Sequence, residues 1–399
     1  MSRKSKKSRR GTTSSEGAAG PFSGVVVVDL SHALSGPFCS MLLAELGARV
    51  IKVERPPLGD SARHFAPMVD GEPYFFASVN RGKEDIALDI EDADDRQVFE
   101  ALVKRADVIL ENFRPGTLDR HGIGYDRLRE LNPRVILASI SGYGQTGPDH
   151  WEGAYDTVIQ GVSGLMSVTG EPGSGPVMAG VCVADYLTGI YTFGAVGAAL
   201  FERERTGEGA QIDMAMHDAV LSIMGPGSFT YLAEGHDPEK TGNASSLAAP
   251  FDVFDAADGP LTLCAADDHS FARLCEAIGR KELPDDVRYS SVANRLGNYD
   301  TLRPILNGVF QSASVAEWIR RLQHAGVACG PVNTVSQAFD DAQTFARNMI
   351  VRAGNLRLPG NPIKMSTLAD PPNRPHAPAL NADADAIRAE LGLTPRQET

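Results

Sequence analysis

Short apolar runs alternate with segments of helical periodicity along the first third of the chain. The β-branched run VVVVDL at residues 25–30 predicts a buried strand. Apolar residues then recur at helical spacing over residues 37–46, up to Gly47, and RVIKVE at residues 49–54 predicts a second strand. Strand, helix and strand in succession form a βαβ unit, which indicates a parallel sheet covered by helices.

This alternation continues to the middle of the chain and then changes. Further strands are predicted at residues 107–110, 134–140 and 210–214, and helices near 99–104, 125–131, 185–205 and 217–223. We therefore expect a doubly wound α/β domain in the first half. From about residue 230, strands at 250–256 and 260–266 accompany amphipathic helices at 271–279 and 315–326, which predicts a smaller α+β domain. The Pro-rich end, from about residue 345, is expected to be extended, with one short helix at 384–391.

Composition and charge narrow the function classes. The 399 residues are 42% hydrophobic, which supplies a core and excludes a wholly disordered chain. The formal net charge of −13 makes the chain a poor binder of nucleic acid along its length. Residues 1–20 differ, because six Lys or Arg accompany a single acid, Glu16. An arm for nucleic acid or anionic lipid is one interpretation, but a disordered basic tail is favoured because the segment has no apolar stripe that would order it.

Cysteine usage and one apolar stretch bear on location. Five cysteines without a C-x-x-C pair, in a chain with no recognisable signal sequence, predict a reduced cytoplasmic protein. The stretch from Val181 to Phe201 has the length of a membrane span. It contains Asp185, and a carboxylate is costly in lipid, so we expect a buried helix instead.

Familiar ligand motifs are absent or incomplete in the sequence. Residues 142–147 read GYGQTG, a literal G-x-G-x-x-G after a predicted strand, but Pro148 follows where a dinucleotide site needs a helix to begin. We therefore expect a loop over another ligand and no bound nicotinamide cofactor. No G-x-S-x-G elbow, Walker sequence or paired histidine spacing is present, so we expect no metal site.

Asp185 is the acid whose position invites a catalytic interpretation. It follows an apolar run and stands at the start of the long predicted helix. One interpretation is an N-cap, because Asp satisfies the first free amides of a helix. The other is a nucleophile, since a carboxylate at such a turn is kept ionised and can attack an activated acyl group. Periodicity and composition leave both interpretations open.

Five motifs in order carry a resemblance to a known family. They are VVVVDLSHALSGPFCSMLLAELGARVIKVERPPLGDSAR, SVNRGKEDIALDI, ILENFRPGTLDRHGIGYDRL, LNPRVILASISGYGQTGP and GVCVADYLTGIYT. Together they resemble the family III CoA-transferases, the family of formyl-CoA, carnitine and related dicarboxylate CoA-transferases. The resemblance runs in register from about Phe22 to Tyr231 and resumes at residues 249–279 and 326–334.

The resemblance implies a reaction and a set of site residues. Asp185 matches the family's nucleophile, which forms a mixed anhydride and then an aspartyl-CoA thioester, so CoA and acyl-CoA are substrates and no cofactor is held permanently. Arg55 matches the arginine beside the adenosine diphosphate, and Tyr155 matches a tyrosine that contacts the acceptor carboxylate. The remaining implied CoA contacts are Leu34 and Ser35 near the thiol end, Asn112 and Phe113 at the pantetheine and adenine, Arg120 at a phosphate and Lys83 at the 3′-phosphate. Solvated surface charge is the alternative interpretation for Arg120 and Lys83.

Two departures from the family pattern, and a rival branch of the family, bear on which substrate and which reaction we expect. Formyl-CoA transferases carry Gln where this chain has Leu34, and Glu84 replaces an arginine expected near the cofactor phosphates. The rival is the α-methylacyl-CoA racemase branch, whose G-H-D element aligns with residues 153–156, where Tyr155 replaces the histidine. Tyrosine, with an ordinary pKa of ~10, is a poor partner base at neutral pH, which favours transfer. A non-catalytic CoA-binding protein is the third hypothesis, and retention of Asp185 argues against it.

The implied architecture is α/β, with a Rossmann-like large domain built from both chain ends and an inserted smaller α+β domain. The expected boundaries are a disordered basic tail at 1–20, a large CoA-binding domain at 21–230, a linker and small domain at 231–345, and a C-terminal segment at 346–399 that returns to the large domain. Members of the family form interlocked-ring homodimers, so a homodimer is implied, with neither nucleic acid nor membrane as a partner. The implied reaction is reversible CoA transfer from an acyl-CoA such as succinyl-CoA to a small carboxylic or dicarboxylic acid.

Overall fold

The computed structural model describes residues 20–394. All of the predicted basic tail except Gly20 lies outside the described residues. Within the described part, the chain divides into two compact units. The first unit contains residues 20–154, 184–219 and 343–394, and the second contains residues 155–183 and 220–342.

A six-stranded parallel sheet organises the first unit. Its strands are β1 (Val26–Asp29), β2 (Arg49–Glu54), β5 (Glu84–Ala87), β6 (Val108–Glu111), β7 (Ile136–Ser141) and β8 (Gln211–Ala215). Their order in the sheet is β5-β2-β1-β6-β7-β8 and every neighbouring pair is parallel, which confirms the predicted parallel α/β fold. The chain winds outward in both directions from the neighbours β1 and β6, so their carboxyl ends form the switch point at which open α/β sheets bind ligands.

The remaining strands form smaller sheets. They are β3 (Met68–Val69), β4 (Glu72–Pro73), β9 (Phe251–Ala256), β10 (Gly259–Cys264), β11 (Ala328–Pro331), β12 (Ile350–Ala353) and β13 (Leu356–Pro359). The pair β12–β13 is an antiparallel hairpin in the segment that was expected to be extended.

Seventeen α-helices are described between residues 20 and 394. They are α1 (Ser35–Glu45), α2 (Tyr74–Asn80), α3 (Ala93–Val103), α4 (Thr117–Arg120), α5 (Tyr125–Leu131), α6 (Asp156–Val162), α7 (Leu165–Val168), α8 (Val183–Thr206), α9 (Met216–Ile223), α10 (Pro226–Glu234), α11 (Asp268–Ala277), α12 (Val292–Gly297), α13 (Tyr299–Phe310), α14 (Val315–His324), α15 (Val335–Phe339), α16 (Ala342–Ala346) and α17 (Ala384–Glu390). Short 3₁₀ turns occupy Ser61–His64 and Leu283–Asp285.

The core of the first unit explains its strand sequences. Val28 of β1 and Ile109 of β6 are fully buried and pack with Phe99 of α3. Ile387 of α17 joins the same core, so the C-terminal helix packs against the sheet. Strands covered on both faces need apolar residues at successive positions, which is the pattern that the runs VVVVDL and RVIKVE show.

The second unit has its own core. Strands β11, β10 and β9 form an antiparallel sheet in that order, and Leu261 packs with Phe254 and Trp318. The indole Nε1 of Trp318 donates to the carbonyl of Phe310 at 2.7 Å, so the buried ring leaves no polar atom unpaired. Residues 155–183 and 220–230, expected in the large domain, group with this second unit.

Helix α8 departs from the prediction of a buried helix. Among residues 20–394 it is one helix with the length and apolar composition of a membrane span, a test that core helices also pass, yet only 33% of its most apolar window is buried. Ile190, Tyr191 and Phe201 are exposed by 51%, 41% and 72%. The prediction of a buried helix therefore holds for one face of α8 only, and the opposite face is exposed.

Candidate active site

The loop between β1 and α1 stands at the switch point and is held by Asn112, which follows β6. The Asn112 side-chain oxygen accepts the His32 amide at 2.8 Å, and its nitrogen donates to the His32 carbonyl at 2.9 Å. The same nitrogen lies 3.5 Å from Ser35 Oγ. Asn112, predicted as a CoA contact, therefore also shapes the loop that carries Leu34 and Ser35.

A cavity of about 400 Å³ opens beside this loop. Phe113, Leu118 and Arg55 are among its lining residues, with Thr117. The Phe113 ring meets His32 edge-on with ring centroids 5.1 Å apart. Apolar walls with an arginine suit a flat heterocycle that carries phosphate, and the volume lies in the usual range for small-ligand pockets. The structure thus brings Arg55 and Phe113 to one cavity.

Arg55 and Arg120 both lie at the surface. The Arg55 guanidinium is 3.8 Å from Asp89 and 3.6 Å from Glu91, two acids that line the same cavity. Arg120 ends α4 and donates to Thr117 Oγ1 at 2.8 Å. Since Thr117 lines the cavity, Arg120 stands on the helix that borders it.

The structure contradicts the predicted phosphate contact of Lys83. Its side chain has no exposed surface, and its ammonium donates to Asp29 Oδ2 at 3.0 Å, Asn80 Oδ1 at 2.7 Å and the Pro37 carbonyl at 3.1 Å. An ammonium with three buried partners does not reach a ligand, and it is not a solvated surface charge either. We correct the assignment: Lys83 is a structural residue beneath α1.

Glu84, expected near the cofactor phosphates, also lies elsewhere. It begins β5 and accepts hydrogen bonds from the Arg49 guanidinium at 2.9 and 2.7 Å. Both residues stand at the amino ends of their strands, whereas the cavity lies at the carboxyl ends. The replacement of the family's arginine therefore removes no cation from the cavity.

Lys83 belongs to a buried charge cluster that sequence reasoning missed. Asp29 accepts from Lys83, while Lys52 pairs with Asp60 at 3.0 Å, and all four side chains are buried. Burial disfavours the charge of Asp29, but Lys83 and Lys52 outweigh it and hold the pKa of Asp29 far below its usual range. Burial, with repulsion from Lys52, lowers the pKa of Lys83 to about 8. Charged residues inside apolar strands, as in VVVVDL and RVIKVE, were the signal available in the sequence.

Glu111 is a second buried acid at the switch point. It ends β6, accepts the Phe113 amide at 2.7 Å and is 4% exposed. Burial raises the pKa of Glu111 to about 7, against the opposing hydrogen bonds from Ser139 and Phe113. Its carboxyl group therefore helps to fix the backbone that presents Phe113 to the cavity.

Asp185 lies half-buried in the first turn of α8, which packs on α1. A Cβ added to Gly189 would be 2.7 Å from the Ser35 carbonyl oxygen, and the rings of Phe38 and Tyr186 meet edge-on at 4.9 Å. Residues four apart share a helix face, so Asp185 and Gly189 both lie on the side of α8 that faces the start of α1. Because α8 begins at Val183, Asp185 is the third helical residue and does not occupy the N-cap position.

The start of α1 supplies backbone donors on that side. Leu34, 4% exposed, occupies the N-cap position, and within residues 20–394 no side chain caps the helix. The first amides of an uncapped helix, together with its dipole, attract negative charge. At this helix start Leu34 and Ser35 therefore offer backbone groups to a ligand, whereas the Leu34 side chain is directed into the protein.

Tyr155 belongs to the second unit. It precedes α6 as its N-cap residue, and 82% of its surface is exposed. Its predicted contact with an acceptor acid stays a prediction.

The GYGQTG loop adopts a different structure from a dinucleotide-binding turn. Gly144 and Gly147 have φ values of 89° and 95°, the left-handed region that favours glycine. The Gln145 amide donates to both carboxylate oxygens of Asp213 at 3.0 Å. The helix that follows begins only at Asp156, so the motif lacks the helix start that would hold a pyrophosphate.

A carboxylate near an uncapped helix start, beside a cavity at the switch point of a parallel sheet, is an arrangement typical of an α/β enzyme that acts on a small ligand. Comparison with known proteins narrows this class. The sequence model of the family described as CoA-transferase family III matches residues 22–384 of this chain. The chain belongs to CoA-transferase family III and is an enzyme of that class.

Three relatives illustrate the likeness. The chain is 43% identical to an acetyl-CoA:oxalate CoA-transferase of Acetobacter aceti, over 93% of this chain and 96% of that protein. It is 37% identical to a succinate–glutarate CoA-transferase of Agrobacterium fabrum, over 95% of this chain and 98% of that one. The crystal structure of a CAIB/BAIF family protein from Brucella suis superposes with a TM-score of 0.83 and 36% identity, covering 94% of this chain and 100% of that one.

Proposed function

We propose that this enzyme transfers CoA reversibly from an acyl-CoA, with succinyl-CoA or acetyl-CoA as the donor, to a small dicarboxylic acid, and that Asp185 forms the covalent intermediates. The observation that supports the proposal is that Asp185 lies in the first turn of α8, one turn before Gly189, which packs against the uncapped start of α1. The relatives' names, which include oxalate and glutarate, support the acid class.

The proposed first half-reaction uses Asp185 twice. Its carboxylate attacks the donor's thioester carbonyl, the C–S bond breaks, and a mixed anhydride and CoA thiolate result. The thiolate then attacks the aspartyl carbonyl of the anhydride, which releases the donor acid as a carboxylate and leaves an aspartyl-CoA thioester. Both steps exchange one activated acyl group for another, so no net proton transfer or hydrolysis is required.

The second half-reaction reverses this order. The acceptor carboxylate attacks the aspartyl-CoA carbonyl and expels CoA thiolate, which forms a new anhydride. The thiolate attacks the acceptor's carbonyl, giving the new acyl-CoA and regenerating the Asp185 carboxylate. Negative charge develops on a carbonyl oxygen in each step, and the first amides of α1 are donors of the kind that stabilise it.

The cavity beside the loop is the proposed site of the nucleotide end of CoA. Phe113 supplies a ring face, and Arg55 and Arg120 supply positive charge for phosphates. Tyr155 and the second unit are proposed to select the acceptor acid. Asp89 and Glu91 beside Arg55 partly offset its charge, so we expect Arg55 to contribute modestly to CoA affinity.

We further propose a homodimer in the cytoplasm. Ile190 and Phe201 lie on one side of α8, and both are exposed in the single chain. An exposed apolar stripe on a central helix is typical of a protein–protein interface. Sedimentation at micromolar concentration should give twice the monomer mass.

A panel of substrates tests the proposed reaction. We expect purified enzyme with succinyl-CoA or acetyl-CoA to form a new acyl-CoA with at least one of oxalate, glutarate, mesaconate or malate, as measured by chromatography of the thioesters. Absence of transfer with every donor and acceptor, together with exchange of the α-proton of a 2-methylacyl-CoA, would replace the proposal with racemase activity.

A further inference from the structure

The loop from Leu30 to Leu34 is held at every backbone amide from Leu30 to Ala33. The Leu30 amide donates to the Leu110 carbonyl at 2.8 Å, and the Ser31 amide donates to Asp29 Oδ1 at 2.9 Å. Asn112 takes the His32 amide, as described above. The next amide, that of Ala33, donates to the Asp60 carboxylate at 3.0 and 3.2 Å. These hydrogen bonds fix the backbone conformation of the loop up to the start of α1.

Ala33, the last of these residues, has a backbone conformation that residues with a side chain rarely adopt. Its φ is +60°, in the left-handed region. A Cβ there is close to the following carbonyl oxygen, which is unfavourable, so such residues persist only where their surroundings hold them. The Ala33 amide donates to the Asp60 carboxylate, which makes Asp60 the group that holds this conformation.

Asp60 is itself rigid. It is fully buried, accepts the Ala62 amide at 2.9 Å and pairs with Lys52 at 3.0 Å. The Lys52 ammonium also donates to the Ser31 carbonyl at 2.7 Å. A single buried ion pair therefore anchors the loop at two points, Ser31 and Ala33.

The loop sets where α1 begins, and α1 begins against α8. Gly189 lies so close to the Ser35 carbonyl that there is no room for a Cβ. A shift of Ser35 would therefore change its distance from the turn of α8 that contains Asp185 and Gly189. Misplacing reacting groups by about 1 Å can cost on the order of 10²-fold in rate.

We propose that Asp60, paired with Lys52, is a positioning residue for CoA transfer: it holds Ala33 in the left-handed conformation and thereby places the first amides of α1 opposite Asp185. The inference rests on the proposed function. Asp60 contacts neither CoA nor the acid, so its effect falls on kcat, while KM for acyl-CoA is nearly unchanged.

The test compares Asp60→Asn with a rescue and a control. Asn keeps the size of Asp60 but removes the charge that pairs with Lys52, and an N–H₂ group in the place of Oδ2 faces the Lys52 ammonium and the Ala33 amide. We therefore expect kcat to fall on the order of 10²-fold and amide hydrogen exchange to rise in residues 31–36. In Asp60→Asn/Ala33→Gly, glycine adopts positive φ without a Cβ penalty, so most of the lost kcat should return. Asp107→Asn changes a carboxylate that accepts the Val26 amide at 2.7 Å, at the other end of β1, and pairs with Arg203 in the last turn of α8 at 2.8 Å. Because Arg203 lies at the opposite end of α8 from Asp185, this variant should leave kcat and exchange in residues 31–36 unchanged.

A second variant tests the proposal even if Asp60→Asn does not fold. Ala33→Val leaves the ion pair intact but places a β-branched residue at positive φ, so it should lower kcat in a folded protein. Unchanged kcat and exchange in Asp60→Asn, an equal loss in Asp107→Asn without rescue by glycine, or a fully active Ala33→Val would each overturn the proposal. A wild type without any transfer would count against the proposed function instead, while exchange in residues 31–36 would still test whether Asp60 holds the loop.

Discussion

Two polar residues that the family resemblance assigns to CoA are hydrogen-bonded within the protein itself. Lys83 lies in a motif shared with the family and resembles a ligand contact, yet it is buried against Asp29. Asn112 belongs to another shared motif and precedes Phe113, which lines the cavity, yet both its amide atoms hold His32. Whether a polar residue faces ligand or core depends on partners far along the chain, which local pattern does not reveal.

The structural assignment of Lys83 predicts the behaviour of Lys83→Met. Removing one partner of a buried ion pair leaves Asp29 short of a counter-charge, so the free energy of unfolding should fall by about 3 kcal/mol or more. The ratio of KM for 3′-dephospho-acyl-CoA to KM for acyl-CoA should not change. Denaturant unfolding and steady-state kinetics measure the two quantities, and a ratio that moves toward unity in a variant of normal stability would restore Lys83 as a phosphate contact.

The raised pKa of Glu111 predicts a pH-dependent stability. The pKa of this carboxyl is 4.5 in the unfolded chain and about 7 in the folded one, so between these values the native state holds the extra proton. Stability contributed by Glu111 is therefore complete below pH 4.5 and is lost as the pH rises to 7, by about 3 kcal/mol in all. Glu111→Gln, which keeps an acceptor for the Phe113 amide, should remove this part of the slope. Urea unfolding at pH 5 and pH 8 tests it, and parallel pH curves for the two proteins would contradict it.

Among elements, the contact between α1 and α8 is the one on which the proposed site depends. Gly189 permits it, because any side chain would meet the Ser35 carbonyl. Its neighbours on the inner face, Thr188 and Thr192, are buried and bond back to carbonyls of their own helix. The helix can therefore approach α1 closely without leaving buried hydroxyls unpaired.

Gly189→Ala should destabilise the protein, against the usual trend. Alanine in a helix interior is normally favoured over glycine by up to about 1 kcal/mol. Here the added Cβ would lie 2.7 Å from a backbone oxygen, so α1 and α8 must separate and both the melting temperature and kcat should fall. Gly308→Ala, in α13, is the control, since a Cβ there meets nothing within 4 Å. Equal or higher melting temperatures in both variants would show that α8 is not held against α1.

Element by element, the sequence predicted the long apolar strands and the periodic helices. Strands β1, β2, β6, β7 and β8 and helices α1, α5, α8 and α9 lie within two residues of their predicted bounds. Strand β5 was missed because its four residues begin with Glu84 and Asp85, whose charges are matched by residues distant in sequence. The hairpin β12–β13 was missed because its strands are only four residues long, and the many prolines of this segment indicated an extended chain without paired strands.

For the whole molecule, the parallel sheet could be predicted because its strands are apolar at successive positions, and the family because five motifs occur in order. The buried cluster of Asp29, Lys52, Asp60 and Lys83 could not, since each pairing joins residues from different elements. The grouping of residues 155–183 with the second unit also had no signal in local composition. The proposed reaction depends on one carboxylate, that of Asp185, in the first turn of α8.

Trapping the activated carboxyl group of Asp185 tests the proposed role of this residue most directly. Wild-type enzyme incubated with succinyl-CoA, quenched with hydroxylamine and digested should yield a hydroxamate on the peptide that contains Asp185, as read by mass spectrometry. Asp185→Asn should show neither the modification nor CoA transfer, while Asp218→Asn, at an exposed position of α9, should retain both. A hydroxamate at another residue, or transfer that persists in Asp185→Asn, would contradict the account.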